Sequence, residues 1–126
     1  MTWSQYSHVE FEFAEGYLGA LPDGVKMRPF NYDPLCQYIV GSIDCDDNVL
    51  CTVKDFAYRQ IGKPYDYSAL IGLGIHRDWH SADAWFCSEL VAAAFDWAYY
   101  PLIRDKYDRV TPESLLQSER VYLEGQ

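Results

Sequence analysis

Polar and apolar side chains alternate through YSHVEFEF, residues 6–13. That is the pattern of a strand with one face buried. The alternation predicts a strand over Tyr6–Phe13, with Val9, Phe11 and Phe13 on one face and His8, Glu10 and Glu12 on the other, polar face. Glu15–Gly16 is a turn signal, YLGAL reads as a second short strand, and Pro22–Gly24 is a further turn. VKMRPF alternates again, and CQYIVGSI is apolar enough for a central strand.

The pattern then changes period. After the acidic DCDDN, apolar residues recur near helical spacing at Val49, Leu50, Val53, Phe56, Ala57 and Ile61, until Gly62 and Pro64 end the run. This predicts a helix over about residues 47–61 with acidic residues at its start. YDYSALIGLGI suggests a shorter helix, and HRDWHSADAW a polar, aromatic loop. Residues 87–99 form an apolar helical segment that approaches its end at Pro101. Thr111 and Pro112 suit an N-cap and a first helical position, and RVYLE suits a last strand. Strands first and helices later define an α+β class in one domain spanning residues 1–126.

Composition narrows the partners. A 49% hydrophobic and 17% aromatic chain is that of a folded protein, and the aromatic residues read mostly as core. The net charge of −9 argues against nucleic acid and against anionic membrane surfaces. MTWSQYSHVEFEF has no basic segment followed by an apolar one, and no apolar run nears the roughly 20 residues of a membrane span. A cytoplasmic setting without stable membrane insertion is the expectation, with the four cysteines as free thiols. Release by lysis or incorporation into a virion is compatible with that reading, and the oligomeric state is left open.

Candidate chemistry centres on WFCSELV, where Cys87 opens the apolar helix. The plain alternative is a buried cysteine that only packs. A thiol becomes a nucleophile when its pKa drops below about 8.5, through a helix N-terminus or a nearby imidazole. Of His8, His76 and His80, His8 is the better base because a strand holds an imidazole more rigidly than a loop does. Glu10, on the same predicted face, is the candidate to orient its far ring nitrogen. Ser88 and Glu89 read as residues that cap the helix and complement its dipole.

YSHVEF, GKPYDY and WFCSELV, taken in that order, resemble the NlpC-type, papain-like superfamily of cysteine hydrolases. The similarity is to its circularly permuted branch, which includes YiiX-like proteins and lecithin retinol acyltransferase-like enzymes, because the histidine segment precedes the cysteine helix. TPESLL resembles the SP-x-x-L segment often seen in this branch. The resemblance implies a permuted papain-like fold with an antiparallel sheet packed against the nucleophile helix. It also implies a thiol hydrolase or acyltransferase acting on an amide or ester, with a peptide, cell-wall peptide or lipid acyl substrate and no cofactor. Cys87 matches the nucleophile, His8 the general base, and Tyr65 an aromatic near the site whose hydroxyl could assist an oxyanion. The third polar residue of the superfamily usually lies on the strand after the histidine. Here that strand, YLGAL, offers no acid, amide or imidazole, which leaves Glu10 as the substitute.

Competing readings stay in view. A binding or structural protein that keeps the fold without the chemistry is the alternative function, and the missing polar residue favours it. His76 and His80, with Asp78, Asp83 and Cys87, outline a zinc site only if their segment is helical. As a loop, the same stretch lines a cleft walled by Trp79 and Trp85. Cys36, Cys45 and Cys51 read as small buried side chains, and DCDDN lacks the glycine and distal glutamate of a calcium loop. No metal is therefore expected.

Overall fold

The computed structural model describes residues 8–31, 41–66, 84–102, 114–115 and 117–123. Within them the chain is a small α+β protein with two antiparallel sheets and two helices. The predicted segments at residues 67–75, 76–83 and 111–113, with His76, His80, Asp78, Asp83, Trp79, Thr111 and Pro112, lie outside the described residues, as does Cys36.

The first sheet runs in the order β1 (Phe11–Phe13), β2 (Gly16–Leu21), β3 (Gly24–Arg28). Phe11 faces Leu18, which faces Met27, and Ala20 faces Val25. The buried side chains Phe11, Leu18, Ala20 and Val25 thus share the face turned to the core. Arg28 closes the β2–β3 hairpin: Nη1 donates to the Gly19 carbonyl at 3.1 Å, and Nη2 meets Asp23 Oδ1 at 2.5 Å. The second sheet pairs β4 (Gly41–Ile43) with β5 (Val121–Leu123). Among the described residues β4 has only that neighbour, so the apolar CQYIVGSI run does not place its last residues in a sheet centre.

Helix α1 spans Asp47–Arg59. Asp46 caps it by accepting the Val49 N–H at 2.9 Å, which gives the acidic run its structural use. Its apolar side buries Val53, Phe56 and Ala57. Gly62 ends the segment with φ +99°, and its N–H donates to the Val25 carbonyl at 2.9 Å. The Val25 N–H donates in turn to Lys63 O at 2.8 Å, stitching the exit of α1 to β3. Trp85 then lies parallel to Tyr65, donating its N–H to Pro64 O at 3.0 Å and accepting from the Asp66 N–H at 2.8 Å.

That short ladder delivers the chain into α2 (Cys87–Trp97). Every residue from Cys87 to Phe95 is buried, and small Ala92–Ala94 let the helix approach α1 and β2 closely. Phe95 meets Phe11 with ring centroids 6.3 Å apart. Beyond the helix Tyr100 donates its hydroxyl to Asp44 O at 2.7 Å and carries the Arg120 guanidinium 3.9 Å over its ring. Two expectations change here. Cys51 is exposed and Cys45 half-buried, because both lie on or before the solvent side of α1 rather than in the core. A second detail is added to the aromatic core, since Tyr99 and Tyr122 stand in solvent outside it. Among the described residues no helix is long and apolar enough to cross a membrane.

Candidate active site

Three elements converge on one thiol. Cys87 occupies the first position of α2, following Phe86, whose extended backbone (φ −89°, ψ 151°) serves as the N-cap without a side-chain hydrogen bond. A cysteine there sees the unsatisfied N–H groups of the first helical turn. The thiol is free and nearly enclosed, at 1% exposure.

His8 reaches it from the sheet side, though not from a strand. The β1–β2 ladder begins at Phe11↔Leu18, and residues 8–10 lie ahead of β1, outside the strand. This corrects the expectation of a strand through His8. Alternation reports which side chains share a face, whereas strand pairing depends on a partner the local sequence does not contain. Val9 still packs against the core, as the alternation predicts.

The Cys87 thiol and the Glu10 carboxylate both act on the imidazole, whose Nε2 lies 2.9 Å from Glu10 Oε1. At that distance the contact is an attraction between charges rather than a directed hydrogen bond. Burial acts to strip the proton from His8. Favourable interactions with Cys87 and Glu10, and the negative charge both groups can carry, outweigh it and raise the imidazole pKa to about 9. His8 is therefore protonated at neutral pH.

Glu10 is not on a solvated face. Its side chain is only 9% exposed and crosses β2 at Gly19, whereas Glu12 two residues on is exposed. Tyr65 is buried beside the site, its ring centroid 5.7 Å from that of Phe86. Trp85 does not wall a cleft. It is fully buried against Phe56 and donates its indole N–H to Gln60 Oε1 at 3.0 Å. Ser88 and Glu89 are buried in the first turn of α2, Glu89 at 3% exposure, where its acid complements the helix dipole. Among the described residues no cluster of three or more histidine, cysteine or acidic side chains is arranged to hold a metal ion.

Two contributors escaped the sequence reading. Gln60 anchors the tryptophan that precedes the helix, and Gly19 admits Glu10. For Gly19 a signal existed, since glycine inside a strand marks a close approach of another group. Gln60 carried none, because a polar residue at a helix end looks solvated until its partner is known. Compared with known proteins, the chain matches no family model, no curated protein and no solved structure.

Proposed function

We propose that the protein is a cysteine hydrolase or acyltransferase of circularly permuted papain-like type, acting on an amide or ester carbonyl with Cys87 as nucleophile. The observation that carries this reading is one imidazole held between a helix-start thiol and a buried carboxylate. The reaction runs through a thiolate–imidazolium pair. The Cys87 sulfur forms a bond to the carbonyl carbon, and the carbonyl π electrons move to oxygen, which the first-turn N–H groups of α2 stabilise. Collapse expels the amine or alkoxide, which takes the proton from His8. Water, or an acceptor nucleophile, then gives its proton to neutral His8 while attacking the thioester. The carbon–sulfur bond breaks, and the thiolate–imidazolium pair returns. Glu10 stabilises the imidazolium throughout. Substrates of this class are peptides, cell-wall peptides and lipid acyl groups.

A second reading, a binding protein that keeps the fold alone, draws on the near-complete enclosure of Cys87. Site-resolved alkylation separates the two, with exposed Cys51 as an internal reference. In limiting iodoacetamide at pH 6, Cys87 should label faster than Cys51 despite its burial, and His8→Ala should abolish that advantage. An activated ester should leave an acyl group on Cys87 in the intact mass. Labelling of Cys51 alone, with no acylation of Cys87, would leave the scaffold reading.

A further inference from the structure

Glycine in the interior of a strand carries an entropic cost and offers no side chain to pack, so its presence at position 19, in the middle of β2, calls for a cause. The backbone is not that cause. Positive φ angles occur at Gly16, Gly24 and Gly62, while Gly19 holds ordinary strand geometry that any residue adopts. The three atoms nearest a Cβ built at position 19 all belong to Glu10: Cγ at 2.6 Å, and Cβ and Cδ each at 3.2 Å. Phe11 faces Leu18, so Glu10 is the next residue outward, directly over Gly19.

We propose that Gly19 is a positioning residue of the candidate site: its missing side chain forms the slot through which Glu10 crosses β2 to set its carboxylate against His8. The inference rests on the reading of His8, Glu10 and Cys87 as a working site. The contact is with the stem of Glu10, not its mobile tip. Relief requires rotating Glu10 about its first side-chain bond, which swings the carboxylate off His8, or lifting residues 8–10 from β2, which draws the imidazole off Cys87. β2 is not free to retreat, because the Gly19 carbonyl accepts from Arg28 and residue 19 is paired with Lys26. Either way the slot supplies what YLGAL lacks in polar side chains: it hosts an acid from the neighbouring segment.

The titratable groups acting on His8 are Glu10, from its own segment, and Cys87, from α2. The test is an NMR titration of the His8 ring, assigned with His8→Ala, in the full chain and in Gly19→Ala, Glu10→Ala and the double variant, with melting curves for each. Gly19→Ala should lower the His8 midpoint by about one unit, a tenfold change in proton affinity, matching Glu10→Ala. The double variant should titrate like Glu10→Ala alone and melt above Gly19→Ala, since truncating Glu10 removes the clash. A Gly19→Ala protein that fails to fold while the double variant folds also supports the slot. The proposal is overturned if Gly19→Ala titrates as wild type, if the two effects add, or if both Gly19 variants fail to fold. The readout is independent of catalysis: an unreactive Cys87 with intact Gly19–Glu10 coupling would sink the hydrolase reading and leave this one standing.

Discussion

His8 and Glu10, two positions apart in sequence, meet side chain to side chain, Nε2 to Oε1 at 2.9 Å, in the segment just ahead of β1. The carboxylate keeps its place because it is buried over Gly19, and the imidazole turns its remaining capacity to Cys87. A charge in that position has consequences for stability, reactivity and pH response that can be measured separately.

The folded imidazole keeps its proton to about pH 9, against an unperturbed 6.5. Its contribution to stability is therefore complete below pH 6.5 and is lost as pH rises to about 9. We expect wild type to exceed His8→Ala in unfolding free energy by on the order of 1–3 kcal/mol at pH 6, with the gap shrinking through pH 9. Urea titrations of both proteins at half-unit pH steps check this. A gap that widens with pH would show that the imidazole is neutral in the folded state.

Glu10→Gln preserves shape but removes the charge that faces His8. We expect the His8 midpoint to fall and Cys87 alkylation near neutral pH to slow by about 10- to 100-fold. Glu12→Gln, at an exposed position of β1, should alter neither. Equal behaviour of the two variants would assign the orientation of His8 to another group.

The hairpin and α1 were legible in the sequence because their signals are local: alternation, turn signals at Glu15–Gly16 and Pro22–Gly24, an acidic cap and a terminal glycine. The meeting of His8, Glu10 and Cys87 was legible as a set of candidates, since a helix-start thiol and a distant His-x-Glu pair carry their chemistry in residue type. What was not legible depends on partners. The ladder with β2 reaches Phe11 but not His8, Glu10 is enclosed because residue 19 is glycine, and Trp85 leaves the cleft because Gln60 accepts its indole N–H. Cys51 belongs to the same class: helical spacing does not say which side of α1 faces solvent at a small, weakly hydrophobic residue.

The N-cap at Asp46 and the ion pair of Asp55 with Arg59 (3.1 Å) both involve acidic residues of the α1 region, yet they should not weigh equally. The cap satisfies a backbone N–H that has no helical partner, and Asp46→Ala should cost about 1 kcal/mol. The Asp55–Arg59 pair is exposed on both sides, and Asp55→Ala should cost below about 0.5 kcal/mol, fading in salt. Urea unfolding at low and high ionic strength distinguishes them. A salt-sensitive loss at Asp46 larger than that at Asp55 would mean that charge, not capping, holds this end of the helix.

Gln60 and Trp85 join the end of α1 to the entry of α2. The amide accepts the indole N–H at 3.0 Å and donates to the Phe56 carbonyl at 3.1 Å, all in the interior. Gln60→Leu leaves the indole N–H buried without an acceptor and should cost about 1–3 kcal/mol. Trp85→Phe removes the donor but also empties volume beside Phe56, so its own cost mixes two effects. The double variant separates them. If the hydrogen bond is the link, Gln60→Leu in the Trp85→Phe background should cost about 1 kcal/mol less than it does alone. Trp85 lies two residues before Cys87, and a buried N–H that has lost its acceptor pushes the chain toward any conformation that satisfies it. Gln60→Leu should accordingly lower the labelling of Cys87 relative to Cys51, where α1 carries a thiol on its exposed side as reference. Additive costs in the cycle, with an unchanged labelling ratio, would reduce the pair to ordinary core packing and leave the helix start to be held by the Tyr65–Trp85 backbone bridge alone.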